Sequence, residues 1–576
     1  MDKKQLIEYL EEMAVLLDLK GENPFKVRAY ASAARILQGY SGDIFKSIQN
    51  NEITKIKGIG KGIADFLSEV IETEKSKEAE NLKKEIPKGL LEMLKIQGMG
   101  PKKVRAVWKL LDITNVGELE YACQENRLID LEGFGKKTQD KILIGIEFLK
   151  KYSERHLISK AREEADNLYN ELKNISAVIQ IEIAGSLRRW KETIKDIDLL
   201  VGATDSHREK IMDFFTHLPN VEAVSGKGLT KSSIVLKSGI NADLRIVENH
   251  QFPYALHHFT GSKEHNVAMR EYARKLKLKM NEYGLFKANE ENIPCKDEHD
   301  IFSHLNMAFI PPELRENYGE IEAALSDKIP VLVNQEDIKG IIHVHSNYSD
   351  GVNSIEELVN FCQNNSYRYL VICDHSQSAA YANGLTTNQI TKQHREIDDL
   401  NNNMDNFRVL KSIECDILSD GTLDYDNNLL ATFDLVIASI HSGFKMSEEQ
   451  ATKRVIRAME NPYVTILGHP TGRLLLAREG YPINMNAVID AASELNVAIE
   501  LNANPHRLDI DWRLLKLAKL KSVKISINPD AHRLEGIKDI EYGIGIARKG
   551  WLTQSDVLNC LTSDELIQFA KKRQTN

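Results

Sequence analysis

Two groups of side chains in this sequence have the types and spacing that hold divalent metal ions. The first is built from carboxylates: Asp196-x-Asp198, with Asp243 downstream and Gly185-Ser186-Leu187-Arg188-Arg189 just ahead. The second is rich in histidine and spreads over the C-terminal part of the chain: His343, His345, Asp350, His375, Glu414, His441, His469, Asp530 and His532. Carboxylates alone suit hard Mg²⁺, whereas imidazole mixed with carboxylate suits Mn, Fe or Zn. Two metal chemistries on one polypeptide point to two reactions, opposed or sequential.

In a strand, Asp196 and Asp198 leave the same face, and Asp243 in Asn241-Ala-Asp-Leu-Arg245 can join them from a neighbouring strand. Three carboxylates holding two ions can clamp a phosphoryl transfer. Gly185-Ser186, between a strand and a helix, suits a triphosphate held by backbone amides and a hydroxyl, and Arg189 would add a charge-assisted bond. Asp-x-Asp alone more often marks a solvated strand face. The upstream Gly-Ser and the third aspartate tip the reading to nucleotidyl transfer.

A lone histidine at a strand end is usually a hydrogen-bonded core or surface residue. Here nine ligand types fall at successive strand ends or an adjoining loop: His343-Val-His345, Ser349-Asp350-Gly351, Cys373-Asp-His-Ser376, Glu414-Cys-Asp416, Ile440-His-Ser442, Gly468-His-Pro470 and Pro529-Asp-Ala-His532. Nine exceed the four or so ligands of one zinc ion, so two or three ions are implied, with Glu414 as a bridge.

The elements that must position these groups differ along the chain. Met1 to Lys20 reads as an amphipathic helix with no signal-peptide core. Three repeats follow, Ile56-Lys-Gly-Ile-Gly-Lys61, Ile96-Gln-Gly-Met-Gly-Pro101 and Leu131-Glu-Gly-Phe-Gly-Lys136, each set between helical stretches. Their glycines (Gly58, Gly60, Gly98, Gly100, Gly133, Gly135) let a backbone approach closely, and free amides opening the next helix can hold a phosphate oxygen without reading bases. From about 155 the texture is mixed α and β: a helix over 160–172, then strands near 178–184, 196–201, 233–236 and 242–247. Acidic, Pro-containing sequence at 311–338 reads as a linker. Seven strand-like runs then alternate with helices, the pattern of an irregular β/α barrel with its functional side chains at the strand ends.

Composition sets limits. The chain has 576 residues and a net charge of −9. Residues 1–300 hold 48 Lys/Arg against 47 Asp/Glu, and 301–576 hold 27 against 37, so the acidity lies with the histidine-rich half. Nucleic-acid binding must therefore come from local clusters. No apolar stretch approaches the ~20 residues of a membrane span. The six cysteines lie far apart with no CxxC pair, which favours free thiols and a reducing cytoplasm.

Gly-Ser plus Asp-x-Asp resembles the polymerase-β-like nucleotidyltransferases. Gly228-Leu-Thr-Lys231, Phe259-Thr-Gly-Ser262, Asn266 and Arg270, taken with the hairpins, narrow the resemblance to family X DNA polymerases. The resemblance implies that Asp196 and Asp198 bind two Mg²⁺ or Mn²⁺ ions, and that Asp243 binds the catalytic one and helps deprotonate the primer 3′-hydroxyl. Gly185, Ser186 and Arg189 would grip the triphosphate. His258, Phe259, Gly261 and Asn266 would line the nucleotide, with histidine standing at 258 where animal enzymes have tyrosine. Lys231 and Arg270 would contact DNA, and Lys26 and Tyr30 of Asn23-Pro-Phe-Lys-Val-Arg-Ala-Tyr30 would hold a 5′-phosphate. Phe66 stands where lyase-competent members carry a Schiff-base lysine.

The histidine set is similar to the PHP phosphoesterases, which implies two or three Mn²⁺, Zn²⁺ or Fe²⁺ ions and hydrolysis of a phosphodiester. Across its length the sequence resembles bacterial family X polymerases with a C-terminal PHP domain. The implied layout is a helical DNA-end-binding domain (1–85), a helical subdomain with two further hairpins (86–154), a nucleotidyltransferase palm (155–250), a nucleotide- and template-binding subdomain (251–315), a linker (316–337) and a distorted (β/α)7 PHP barrel (338–576). The implied activities are short-gap synthesis from deoxynucleoside triphosphates on gapped or primer-template DNA and 3′→5′ hydrolysis, in base excision repair, by a nucleoid-associated cytoplasmic monomer. Two rivals stay open: a small-acceptor nucleotidyltransferase fused to a PHP phosphatase, and a non-catalytic DNA-end scaffold.

Overall fold

A computed structural model describes residues 3–40, 42–50, 52–73, 75–96, 98–129, 131–150 and 154–574. Met1 and Asp2 of the expected first helix, and Gln97 of the second hairpin, lie outside the described residues. The chain divides into two compact units, Met1–Lys150 and Lys151–Asn576. No described helix is long and apolar enough to cross a membrane.

The smaller unit is helical throughout its described elements. Leu6, Leu10, Met13 and Leu17 recur at helical spacing on Lys3–Lys20 and are buried. In each hairpin the residue between the glycines faces inward: Ile59 and Met99 are buried and Phe134 packs against the core. Parallel backbone bonds close the three turns, Ile59 N to Ile56 O, Met99 N to Ile96 O and Phe134 N to Leu131 O, each 3.0 Å. Gly58, Gly98 and Gly133 take φ of +99°, +90° and +82°, which a side chain would resist. The next helices begin at Lys61, Pro101 and Lys136.

The larger unit starts with a five-stranded sheet. Its strands are β1 (Gln180–Ile183), β2 (Asp196–Gly202), β3 (Val221–Lys227), β4 (Lys231–Leu236) and β5 (Asn241–Val247), in the order β1-β2-β5-β4-β3. The central β2–β5 pair is parallel, and its neighbours are antiparallel. Strand β3 has no counterpart in the sequence reading. It is an exposed edge whose sequence, Val-Glu-Ala-Val-Ser-Gly-Lys, does not sustain an apolar/polar alternation.

Seven parallel strands follow in simple sequence order: β6 (Gly340–Val344), β7 (Tyr369–His375), β8 (Arg408–Asp416), β9 (Leu435–Ser439), β10 (Val464–Leu467), β11 (Ala498–Asn502) and β12 (Ile525–Asn528). A parallel bridge from Val344 to Ala531 brings the last strand back to the first. A buried apolar cluster of Val371, Leu410, Ile437, Ile466 and Ala498 packs with Leu566 and Ala570 of the C-terminal helix Ser563–Gln574. Two or four residues further along β7, β8 and β11 stand Cys373 and His375, Ser412 and Glu414, and Glu500. One face thus changes from apolar filling to ligands along the strands.

Residues 316–337 do not form a linker. They contain the helix Glu320–Leu325, and Ile321, Ala324, Leu332 and Val333 are buried. Two of their acids are paired rather than solvated: Glu316 meets Lys549 at 2.5 Å, and Glu320, wholly buried, accepts from His265 Nδ1 at 2.7 Å and from the Asn317 amide at 2.8 Å. Palm and barrel share one continuous apolar core, in which Ile158, Leu199 and Ile234 belong to the same cluster as Ile341, Val436 and Ile527. The six cysteines are free and buried.

Candidate active sites

The carboxylate site rests on the parallel register of β2 and β5, which sets Asp198 directly beside Asp243, with Asp196 two residues earlier on the same face. Burial, and then the charges of Asp196 and Asp243, push the Asp198 carboxyl up to about 7. Asp243 accepts from Ser233 Oγ at 2.5 Å and pairs with Lys231 Nζ at 2.7 Å. Lys231, expected on the DNA path, therefore reaches into the acidic cluster. A site that gathers three carboxylates and draws a lysine onto one of them fits a divalent cation.

Gly185 opens the short helix Gly185–Arg188 with φ +64°, and a Cβ there would overlap Asp198 Oδ2. The glycine is what lets the turn lie against the carboxylates, and Ser186 follows it, half-buried. Arg189 is less free than its motif suggests: it donates to the Thr260 carbonyl and, through Nε, to Glu316 at 3.1 Å. The next helices bring two other expected nucleotide residues together with Arg270, expected on the DNA. His258, Asn266 and Arg270 line one small pocket with Met280 and Asn281. Asn266 Nδ2 donates to the His258 carbonyl at 2.7 Å, while its buried Oδ1 has no hydrogen-bond partner among the described residues. Phe259 lies under Arg245, 4.3 Å from the guanidinium, and Gly261 follows with φ +69° beside Arg189.

In the barrel all nine sequence-expected ligands converge. Glu414 lies within 3.7 Å of five imidazoles: His343 (3.5 Å), His345 (3.7 Å), His375 (3.0 Å), His441 (3.1 Å) and His469 (2.9 Å). Three overlapping ligand groups emerge: His345, Asp350, His375 and His532; His343, His345 and Asp530; and His375, Glu414 and His441. Among the described residues, His343 Nε2, Asp350 Oδ2, both nitrogens of His375 and Glu414 Oε2 are buried without a well-aligned hydrogen bond, close contacts between them notwithstanding. That is the condition metal ions relieve, so the donors fit a multinuclear centre. Burial alone would lower His343, but Glu500, Asp530 and Glu414 outweigh it and hold the ring well above the usual histidine range. His343 (φ +68°) and Asp530 (φ +52°) hold left-handed backbone, which is sparsely populated without glycine and here aims two ligands inward.

Three supporting carboxylates went unassigned from the sequence. Glu500, wholly buried, accepts from His343 Nδ1 (2.6 Å), the His469 amide (2.6 Å) and Asn528 Nδ2 (2.7 Å). Asp416 takes His441 Nδ1 at 2.5 Å, and Asp374 anchors the Ser346–Ser349 loop through the Ser346 amide at 2.8 Å. An acid within the apolar run Val-Ala-Ile-Glu-Leu was the available signal for Glu500.

In the smaller unit a Cβ at Gly60, Gly98, Gly100, Gly133 or Gly135 would meet open space, so these turns are open to an approaching backbone. Gly58 differs, because its Cβ would overlap Ile36. Lys26 pairs with Glu78 at 2.5 Å, and Tyr30 is buried edge-on to Phe66 with ring centroids 5.1 Å apart. A 5′-phosphate would have to draw Lys26 from Glu78, and Tyr30 serves the core. Phe66 is itself a core residue.

Residues 1–76 match the helix-hairpin-helix domain family, 90–147 the SAM-like helix-hairpin-helix tandem, 255–316 the DNA polymerase beta thumb and 342–504 the PHP domain. The chain is 41% identical over 575 residues, 99% of its length and 100% of the relative, to the DNA polymerase/3′-5′ exonuclease PolX of Bacillus subtilis (strain 168). It is also 32% identical over 166 residues, 27% of its length and 65% of the relative, to a "probable phosphatase" of Thermoanaerobacter sp. (strain X514).

Proposed function

The chain belongs to the PolX family of DNA polymerase/3′-5′ exonucleases, and from that premise we propose how its two sites divide the work. Synthesis takes place at Asp196, Asp198 and Asp243, which hold two Mg²⁺ or Mn²⁺ ions. Hydrolysis takes place at the nine barrel ligands, which hold two or three Mn²⁺, Zn²⁺ or Fe²⁺ ions. When bound, these ions polarise phosphoryl oxygens and neutralise the charge that develops on them.

The chain's own groups supply position and proton transfer. Ser186 and the amides of the Gly185–Arg188 turn hold the triphosphate, with Arg189 lending charge. Phe259 and His258 flank the sugar, Asn266 offers its unpartnered Oδ1 to the nucleotide, and Arg270 meets the template. Asp243 receives the primer hydroxyl proton on Oδ2 once Lys231 yields that oxygen, while Ser233 steadies Oδ1. In the barrel, Glu500 and Asp416 fix the ring orientations of His343 and His441. The glycine hairpins hold DNA by its backbone. Together these roles suit short-gap filling and 3′-end trimming in base excision repair, carried out in the bacterial cytoplasm by a monomer.

The observation that carries the two-site reading is that the two ligand sets share no residue. Primer extension on gapped DNA, run beside degradation of a labelled 3′ end, tests it. Asp198→Ala is expected to abolish extension and spare degradation, and His343→Ala to do the reverse. Loss of both activities in either folded variant would defeat the reading, and a wild type that never extends a primer would favour a small-acceptor transferase.

A further inference from the structure

The turn that carries Gly185–Arg189 is held from the barrel side by a lysine that neither site uses. Lys549 ends the helix Ile540–Lys549, and its side chain is wholly buried. Its ammonium donates to Glu316 Oε1 at 2.5 Å, to the Arg189 carbonyl at 2.9 Å and to the Glu313 carbonyl at 3.4 Å. Three acceptors match the three protons that a lysine offers. The indole of Trp512 lies 4.8 Å away on another side. Glu316 in turn takes Arg189 Nε at 3.1 Å and Lys191 Nζ at 3.3 Å. The same helix presses on the turn directly, because a Cβ on Gly545 would overlap the Trp190 ring. One residue before Lys549, Arg548 binds Glu313 Oε1 at 2.6 Å.

We propose that Lys549 is a positioning residue for nucleotidyl transfer: through the Arg189 carbonyl and Glu316 it sets where the triphosphate-gripping turn stands relative to Asp198. The barrel thereby contributes to synthesis as well as to hydrolysis. A buried ammonium with three aligned acceptors resists displacement, since moving it strands charge in a dry site. Where the turn stands matters because Gly185 has no room to shift toward Asp198. This inference rests on the reading that the Gly185–Arg189 turn holds the triphosphate.

A grip on the unreacted triphosphate is felt mainly in KM, while loss of the fold would take the nuclease with it. Lys549→Met in the full-length protein is expected to raise the KM for deoxynucleoside triphosphate at least tenfold, with kcat changed less than threefold. Exonuclease activity on single-stranded DNA should stay within twofold of wild type. Lys549→Arg, which keeps the cation, should recover part of the KM. An unchanged KM in Lys549→Met with intact exonuclease overturns the proposal. If Lys549→Met does not fold, Glu316→Gln is read in its place, and an unchanged KM there overturns it equally. Arg189→Ala separates the two layers. A raised KM in Arg189→Ala with none in Lys549→Met defeats the positioning role alone, whereas an unchanged KM in Arg189→Ala defeats the triphosphate reading and this inference with it.

Discussion

Asp198→Asn should make the metal-free protein more stable while ending DNA synthesis. Burial and two acidic neighbours push this carboxyl from its ordinary 3.8 to about 7. Between those values the folded chain keeps a proton that the unfolded chain has released. The group's contribution to stability therefore falls as pH rises through the window and stays low above it. Each pH unit of the window is worth about 1.4 kcal/mol, so at pH 8 the charge costs the metal-free fold roughly 4 kcal/mol. Asparagine keeps the shape and removes the charge. For a unit of some 400 residues, with an unfolding entropy of roughly 0.9 kcal/mol per kelvin, the gain amounts to a melting-temperature rise of about 4 °C. Scanning calorimetry in chelator at pH 8 and pH 5 checks this, because at pH 5 the wild-type carboxyl is already largely protonated and the gain should shrink by more than half. No rise at pH 8, or an equal rise at both pH values, would refute the electrostatic account of the site.

Glu500→Gln should slow 3′-end degradation roughly 10- to 100-fold by loosening His343, with gap filling unchanged; a paired extension and degradation assay reads it, and equal loss of both activities would contradict it. Gly98→Ala and Gly133→Ala, which force alanine into φ of +90° and +82°, should each cost the smaller unit about 1–2 kcal/mol. Their DNA affinity should fall several-fold alike on every sequence, as measured by fluorescence anisotropy. Chelation should stop both activities and lower the melting temperature, because the crowded barrel donors then lose their ions. Added Mn²⁺ should restore both activities and the melting temperature, and a nuclease indifferent to chelator would count against a metal centre.

Much of the barrel could be read before any coordinates, for a local reason. Six of the seven strands announce themselves by an apolar run that leads straight to one of the nine candidate ligands, and the seventh carries Glu500 inside its run. That the members of each candidate set converge is legible in the same way, since strand alternation and strand ends decide which side chains meet. What escaped depended on partners remote in sequence. Arg189 looked like a free phosphate grip until Glu316, 127 positions away, was seen to hold it. Glu500 supports His343 across 157 positions. The segment 316–337 reads as solvated because composition does not reveal that Glu316 meets the buried Lys549 and Glu320 the buried His265. Tyr30 and Lys26 have partners, Phe66 and Glu78, that no local pattern announces.

The apolar core shared by palm and barrel bears on how such a protein can change over generations. A truncation that removed the barrel would strip the palm of its packing and lay bare a greasy face, inviting aggregation rather than yielding a leaner polymerase. Substituting one or two ligand histidines leaves that seam intact. A descendant relieved of the need to trim DNA ends can therefore silence its nuclease by small substitutions, yet must keep the whole barrel as scaffolding, a dead domain that still cannot be discarded.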